Sequence, residues 1–155
     1  MDNNSIFLTQ KKFDEVWRRV TSAPPGDADI LKELMKYEYI DFNTYKALSQ
    51  KYSGEMRTRF TEMANDEHRH FRMLYGAYYI LTGEKFVPEL FKKIQSQKLT
   101  DILKERYETE LEAASGYLNA AEKVSPDLAA LFKSNAEEEK RHAKTALYLL
   151  GGMVK

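Results

Sequence analysis

A glutamate and a histidine three residues apart occur twice in the chain, as Glu67-x-x-His70 and Glu139-x-x-His142. On a helix this spacing stacks the two side chains on one face, one turn apart. A carboxylate oxygen and an imidazole nitrogen placed in this way can hold one metal ion. A single such pair on a charged helix is most simply a surface pair. Here each copy lies in an Asp/Glu-Glu-x-Arg-His run, Asp66 to His70 and Glu138 to His142, and the two runs require a common cause.

That cause is an internal duplication. The chain superimposes on itself without a gap at an offset of 72 residues (position 70 onto 142), so Asp29-Ile30-Leu31-Lys32-Glu33 recurs as Asp101-Ile102-Leu103-Lys104-Glu105. Glu38 maps onto Glu110, Tyr45 onto Tyr117, Phe60 onto Phe132, Arg69 onto Arg141 and His70 onto His142. An internal repeat constrains architecture before any single motif does.

The elements that must position these residues are helices. Leu31, Met35, Glu38, Phe42, Tyr45, Ser49 and Tyr52 follow steps of four and three, the seam of a packed bundle helix. From about Glu55, a second seam runs through Met56, Phe60, Met63, Glu67, His70, Leu74, Ala77 and Leu81 and stops at Thr82-Gly83. A third helix starts near Thr100, with Leu103, Tyr107, Glu110, Ala114, Tyr117, Ala121 and Val124 on its seam. The fourth carries Leu128, Phe132, Asn135, Glu139, His142, Ala146 and Leu149 and is expected to stop at Gly151-Gly152. Ser53-Gly54 and Ser125-Pro126-Asp127 read as tight connections whose serines are N-caps.

Residues 84–99, with Pro88 and a short amphipathic piece from Leu90 to Ile94, are long enough for a crossover between two helical hairpins. Residues 1–24 place Phe13, Val16, Trp17 and Val20 on one face of a short N-terminal arm, before Pro24-Pro25-Gly26 breaks it. The expected fold is therefore all-α: an antiparallel four-helix bundle over residues 25–152, built from two duplicated hairpins joined by a crossover.

Spacing also sets heights. Positions 38 and 67 have their midpoint at the predicted Tyr52-Ser53 turn, so Glu38 and Glu67 lie level, roughly 20 Å from the hairpin tip. Glu110 and Glu139 do the same around Val124-Ser125. Four glutamates and two histidines thus converge at mid-bundle. Burying unpaired carboxylates costs several kcal/mol each, whereas two divalent cations cancel four carboxylate charges. Oxygen and imidazole ligands without sulfur suit iron or manganese, and admit zinc in isolated protein. Four-helix bundles that hold two iron or manganese ions use this same ligand set.

On these residues the chain resembles the ferritin-like di-iron carboxylate superfamily, and most closely its rubrerythrin-type branch, over about residues 28–150. The resemblance implies that Glu38, Glu67, His70, Glu110, Glu139 and His142 are terminal or bridging ligands of two iron ions. It implies that Tyr45 and Tyr117, in the Glu-x6-Tyr pairs Glu38/Tyr45 and Glu110/Tyr117, hydrogen-bond metal-binding carboxylates. Asp66 and Glu138 would accept the free ring N–H of a ligand histidine, fixing its tautomer, with Arg69 and Arg141 neutralising them. Two departures stand out. Rubrerythrins carry a rubredoxin module with four cysteines, and this chain has none, so an external electron-donor protein is implied. They also carry an extra glutamate three residues after the third-helix ligand. Here Ala113 holds that place, with the shorter acid Asp41 as its first-helix equivalent.

Composition agrees with this reading and narrows the partners. The 155 residues include 24 Lys plus Arg and 24 Asp plus Glu, so no net charge invites nucleic acid or anionic membrane. Seven glycines, four prolines and 31% charged residues fit a long-helix protein. The absence of cysteine excludes disulfides and thiolate metal sites. The polar start Met1-Asp2-Asn3-Asn4 lacks the basic residues of a secretory signal, and no apolar run approaches the ~18 residues of a membrane span. The expectation is a cytoplasmic homodimer that reacts with peroxide or dioxygen, in oxidative-stress defence or as a ferroxidase. A di-iron hydroxylase of a small organic substrate and a non-catalytic metal-binding or structural bundle are the competing readings.

Overall fold

The computed structural model describes residues 26–89 and 97–154, and these are all-α: among them there are four helices and no strand. They are α1 (Asp27–Lys51), α2 (Gly54–Thr82), α3 (Leu99–Ala121) and α4 (Pro126–Met153). The chain divides into two compact units, one built on the α1/α2 hairpin and one on the α3/α4 hairpin, the two hairpins expected from the repeat. The N-terminal arm and the amphipathic piece from Leu90 to Ile94 lie outside the described residues. No helix among the described residues is long and apolar enough to cross a membrane.

In the first hairpin, α1 starts after Gly26 with Asp27 and Asp29 in its first turn and ends with Lys51 in its last, each charge favourable to the helix dipole. Its buried stripe is wider than the seam alone: Ile30, Leu34, Tyr37, Thr44 and Leu48 join Leu31, Met35, Glu38 and Tyr45. Ser53 and Gly54 turn the chain into α2, where Phe60, Met63, Ala64, Glu67, His70, Leu74 and Tyr78 are buried. Leu81, expected on the seam, is 53% exposed. The hairpin midpoint explains this: α1 begins at Asp27, level with residue 78, so the last turn of α2 has no α1 residue opposite it. Rings fill the hairpin on both sides of the carboxylates. Phe60 stacks on Tyr45 (6.3 Å between centroids), and Phe71 meets Tyr39, Tyr75 and Phe86 at 5.7, 6.1 and 6.1 Å.

The second hairpin repeats this design with smaller residues. Ala113, Ala114, Ala120, Ala121, Ala136, Ala143 and Ala146 are buried beside Ile102, Leu103, Phe132 and Leu149. Tyr117 packs on Phe132 at 5.7 Å, as Tyr45 does on Phe60. The turns differ, although the sequences align without a gap. Gly54 adopts φ +60°, open to glycine at little cost. Its counterpart Pro126 is locked near −65°, and holds Ser125 extended (φ −57°, ψ 153°). α3 accordingly ends at Ala121, and four residues, 122–125, connect it to α4, where two suffice between α1 and α2. Ser53 and Ser125 take the expected N-cap positions. The fourth helix does not stop at Gly151-Gly152: it runs through both to Met153, and the Val154 N–H closes on the Leu150 carbonyl at 3.3 Å.

The end of α2 is the sharpest local test of the fold. Gly83 sits at φ +69° with its N–H on the Tyr79 carbonyl at 2.8 Å, a left-handed C-cap. Gly83→Ala is expected to cost about 1 kcal/mol, because a Cβ is strained in that region. Thermal unfolding should show a melting temperature lowered by about 2–4 °C.

Candidate metal centre

Each hairpin brings two carboxylates and one imidazole to a point. In the first, Glu38 projects from the middle of α1, and Glu67 and His70 from the middle of α2. They are 4%, 1% and 1% exposed. His70 Nδ1 lies 3.3 Å from Glu38 Oε2 and 3.2 Å from Glu67 Oε2. In the second, Glu110 comes from α3, and Glu139 and His142 from α4, all buried. His142 Nδ1 lies 3.9 Å from Glu110 Oε2 and 3.4 Å from Glu139 Oε2.

These separations are those of atoms around an ion. Metal–ligand bonds of about 2.1 Å put adjacent ligand atoms roughly 3 Å apart and opposed ones about 4.2 Å apart. In each half-site the three donor atoms lie within 4.8 Å of one another. One imidazole N–H can donate along one direction only, yet His70 Nδ1 is nearly equidistant from two carboxylate oxygens. A cation bound by Nδ1 satisfies both at once, so the donor set fits a metal ion better than it fits a hydrogen bond. It contains oxygen and imidazole nitrogen only, the chemistry of iron, manganese or zinc.

The neighbouring acids are held from outside. Arg69 pairs with Asp66 at 2.9 Å, and Arg141 with Glu138 at 3.9 Å, one turn along the same helix in each case. Asp66 and Glu138 are partly buried (side chains 17% and 24% exposed), while their arginine partners are 48% and 59% exposed. Tyr45 and Tyr117 are fully buried, each against the phenylalanine that the repeat conserves. His68 is exposed, as its place off the seam implies, and stacks on Phe42 at 4.8 Å. Ala113 is buried and its counterpart Asp41 half-buried.

Asn135 and Arg106 are among the buried polar residues to which the sequence alone assigned no role. Asn135 Nδ2 donates to the Tyr117 hydroxyl at 3.2 Å, and Arg106, 3% exposed, lies one turn before Glu110. The signal for both is a break in the repeat: Asn135 replaces Met63 and Arg106 replaces Leu34.

The description of the rubrerythrin family matches residues 101–155, a span that takes in most of α3 and all of α4. No curated protein and no solved structure shows significant similarity to the chain. The matched span contains Glu110, Glu139 and His142, half of the ligands implied by the motifs.

Removing one buried charge separates the cost of the site from its use. Glu139→Gln in metal-free protein is expected to raise the melting temperature by several degrees, because a buried carboxylate without a cation is destabilising. Divalent metal should stabilise the parent protein strongly and this variant little, read by the same thermal melts with and without Fe(II) or Co(II). Over residues 101–155 the chain is similar to the rubrerythrin family, and the buried carboxylate and imidazole set of the α3/α4 hairpin agrees with the similarity.

Proposed function

We propose that the two hairpins pack face to face as one four-helix bundle, that their half-sites jointly hold two iron ions, and that the protein reduces hydrogen peroxide or dioxygen with electrons from a separate donor protein. One observation carries this reading: each hairpin buries two carboxylates and an imidazole at metal-ligand separations. Four carboxylates balance two divalent cations, which removes the cost of burying them. The rubrerythrin match over residues 101–155 supports iron over other ions of similar preference.

Bound iron would supply the electrons: two ferrous ions give two, which with two protons reduce one peroxide to two waters. The chain's own residues do the rest. Glu38, Glu67 and His70 hold one position and Glu110, Glu139 and His142 the other, with manganese and zinc as competing occupants. The carboxylates would supply the negative charge that balances the ions, and the two imidazoles would supply neutral nitrogen donors. Tyr45 and Tyr117 donate to ligand carboxylates, and Asp66 and Glu138 take the free ring N–H of the ligand histidines. Arg69 and Arg141 keep those two acids ionised and in place. A cytoplasmic, homodimeric peroxide scavenger is the setting that fits this assignment.

Loading the protein anaerobically with Fe(II) and adding each oxidant separately tests the reaction. Two irons per chain, oxidised faster by peroxide than by dioxygen, are expected, with the loss of both in Glu67→Ala and Glu139→Ala. Faster oxidation by dioxygen would reject the scavenger in favour of a ferroxidase or hydroxylase. The pH dependence has a definite sign. Ligand imidazoles must be neutral and carboxylates ionised, so protons compete with metal. Affinity should fall as the pH is lowered, measured by Co(II) titration between pH 7.5 and 5.5.

A further inference from the structure

Asn135 and Tyr117 form a buried pair that the duplication does not repeat. Asn135, on α4 and 3% exposed, donates from Nδ2 to the Tyr117 hydroxyl of α3 at 3.2 Å. In the first hairpin Tyr45 and Phe60 are kept, but the counterpart of Asn135 is Met63, equally buried at 3%. A thioether has no proton to donate. Two tyrosines at equivalent positions, one tilted on its phenylalanine and one stacked, therefore differ in whether the residue at this place can donate to them. The surroundings differ in the same sense: buried Arg106 and Thr109 stand where the first hairpin has Leu34 and Tyr37.

The consequence concerns the direction of a proton. A phenol has one O–H to donate and lone pairs with which to accept. When the Asn135 amide occupies a lone pair, the Tyr117 proton must point to a different acceptor. The accepted bond also polarises the hydroxyl and makes it a stronger donor. We propose that Asn135 is a positioning residue that turns the Tyr117 proton onto a metal-holding carboxylate, so that the two half-sites are inequivalent. This rests on the reading of Tyr117 as a donor to such a carboxylate.

The test uses full-length protein labelled at the tyrosine Cζ, whose chemical shift reports hydrogen bonding of the phenol. The Tyr117 and Tyr45 signals, among ten tyrosines, are assigned by their loss in Tyr117→Phe and Tyr45→Phe. In metal-free protein the two signals should differ. Asn135→Met should move the Tyr117 signal toward that of Tyr45, and Met63→Asn should move the Tyr45 signal the other way. Asn135→Asp, which accepts without donating, should shift Tyr117 in the opposite sense to Asn135→Met. In a Co(II) titration, Asn135→Met should change the ratio of the two binding constants by about fivefold, the equivalent of one net hydrogen bond. A Tyr117 signal unmoved by Asn135→Met, or an unchanged ratio in a protein that binds two Co(II), overturns the positioning role alone. Failure of the parent protein to bind Co(II) overturns the metal reading, and with it the service to a carboxylate.

Discussion

Everything in this chain follows from putting carboxylates where leucines belong. Glu38, Glu67, Glu110 and Glu139 occupy seam positions in the middle of four helices, each at most 4% exposed. A helix hairpin gains its stability from the apolar stripe that these residues interrupt. The interruption is tolerable only if the charges are met, and the imidazoles of His70 and His142 at 3.2–3.4 Å from the neighbouring glutamate mark where a cation would meet them. Aromatic pairs flank the buried charges: Tyr45 on Phe60 and Tyr117 on Phe132 lie about two turns from the glutamates toward the connection in both hairpins. The outer charges are met too, since Asp66 and Glu138 are each anchored by an arginine one turn away.

Much of this was legible in the sequence, because the repeat supplies a second measurement of every position. The four helices, the two hairpins, the level placement of Glu38 with Glu67 and of Glu110 with Glu139, and the Asp66–Arg69 and Glu138–Arg141 pairs all follow from spacing at 3.6 residues per turn. What was missed depends on quantities that periodicity does not encode. The unequal turns arise from backbone torsions that Gly54 permits and Pro126 forbids. Leu81 is exposed because α1 starts too late to cover it. The two glycines at 151–152 lie inside α4 because neither adopts the positive φ by which a glycine such as Gly83 stops a helix.

The breaks in the repeat carry the chemistry that duplication alone cannot. An exact repeat would make the two buried carboxylate and imidazole sets equal, and the substitutions between the halves make their surroundings unequal. Asn135 for Met63 and Arg106 for Leu34 make the second hairpin more polar one turn from Glu139 and from Glu110. Ala113 for Asp41 acts in the other direction, removing an acid from the second hairpin. The family match covers residues 101–155 and so takes in Glu110, Glu139 and His142 alone; the first hairpin's Glu38, Glu67 and His70 are tied to them by the repeat.

The central claim is that the six buried groups form one dinuclear centre, and metal stoichiometry tests it most directly. Equilibrium dialysis of the full chain against Fe(II) under anaerobic conditions, with metal counted per chain, should give two ions in the parent protein and loss of binding in Glu67→Ala and Glu139→Ala. Absence of tight iron binding, or two ions retained in both variants, would contradict the account.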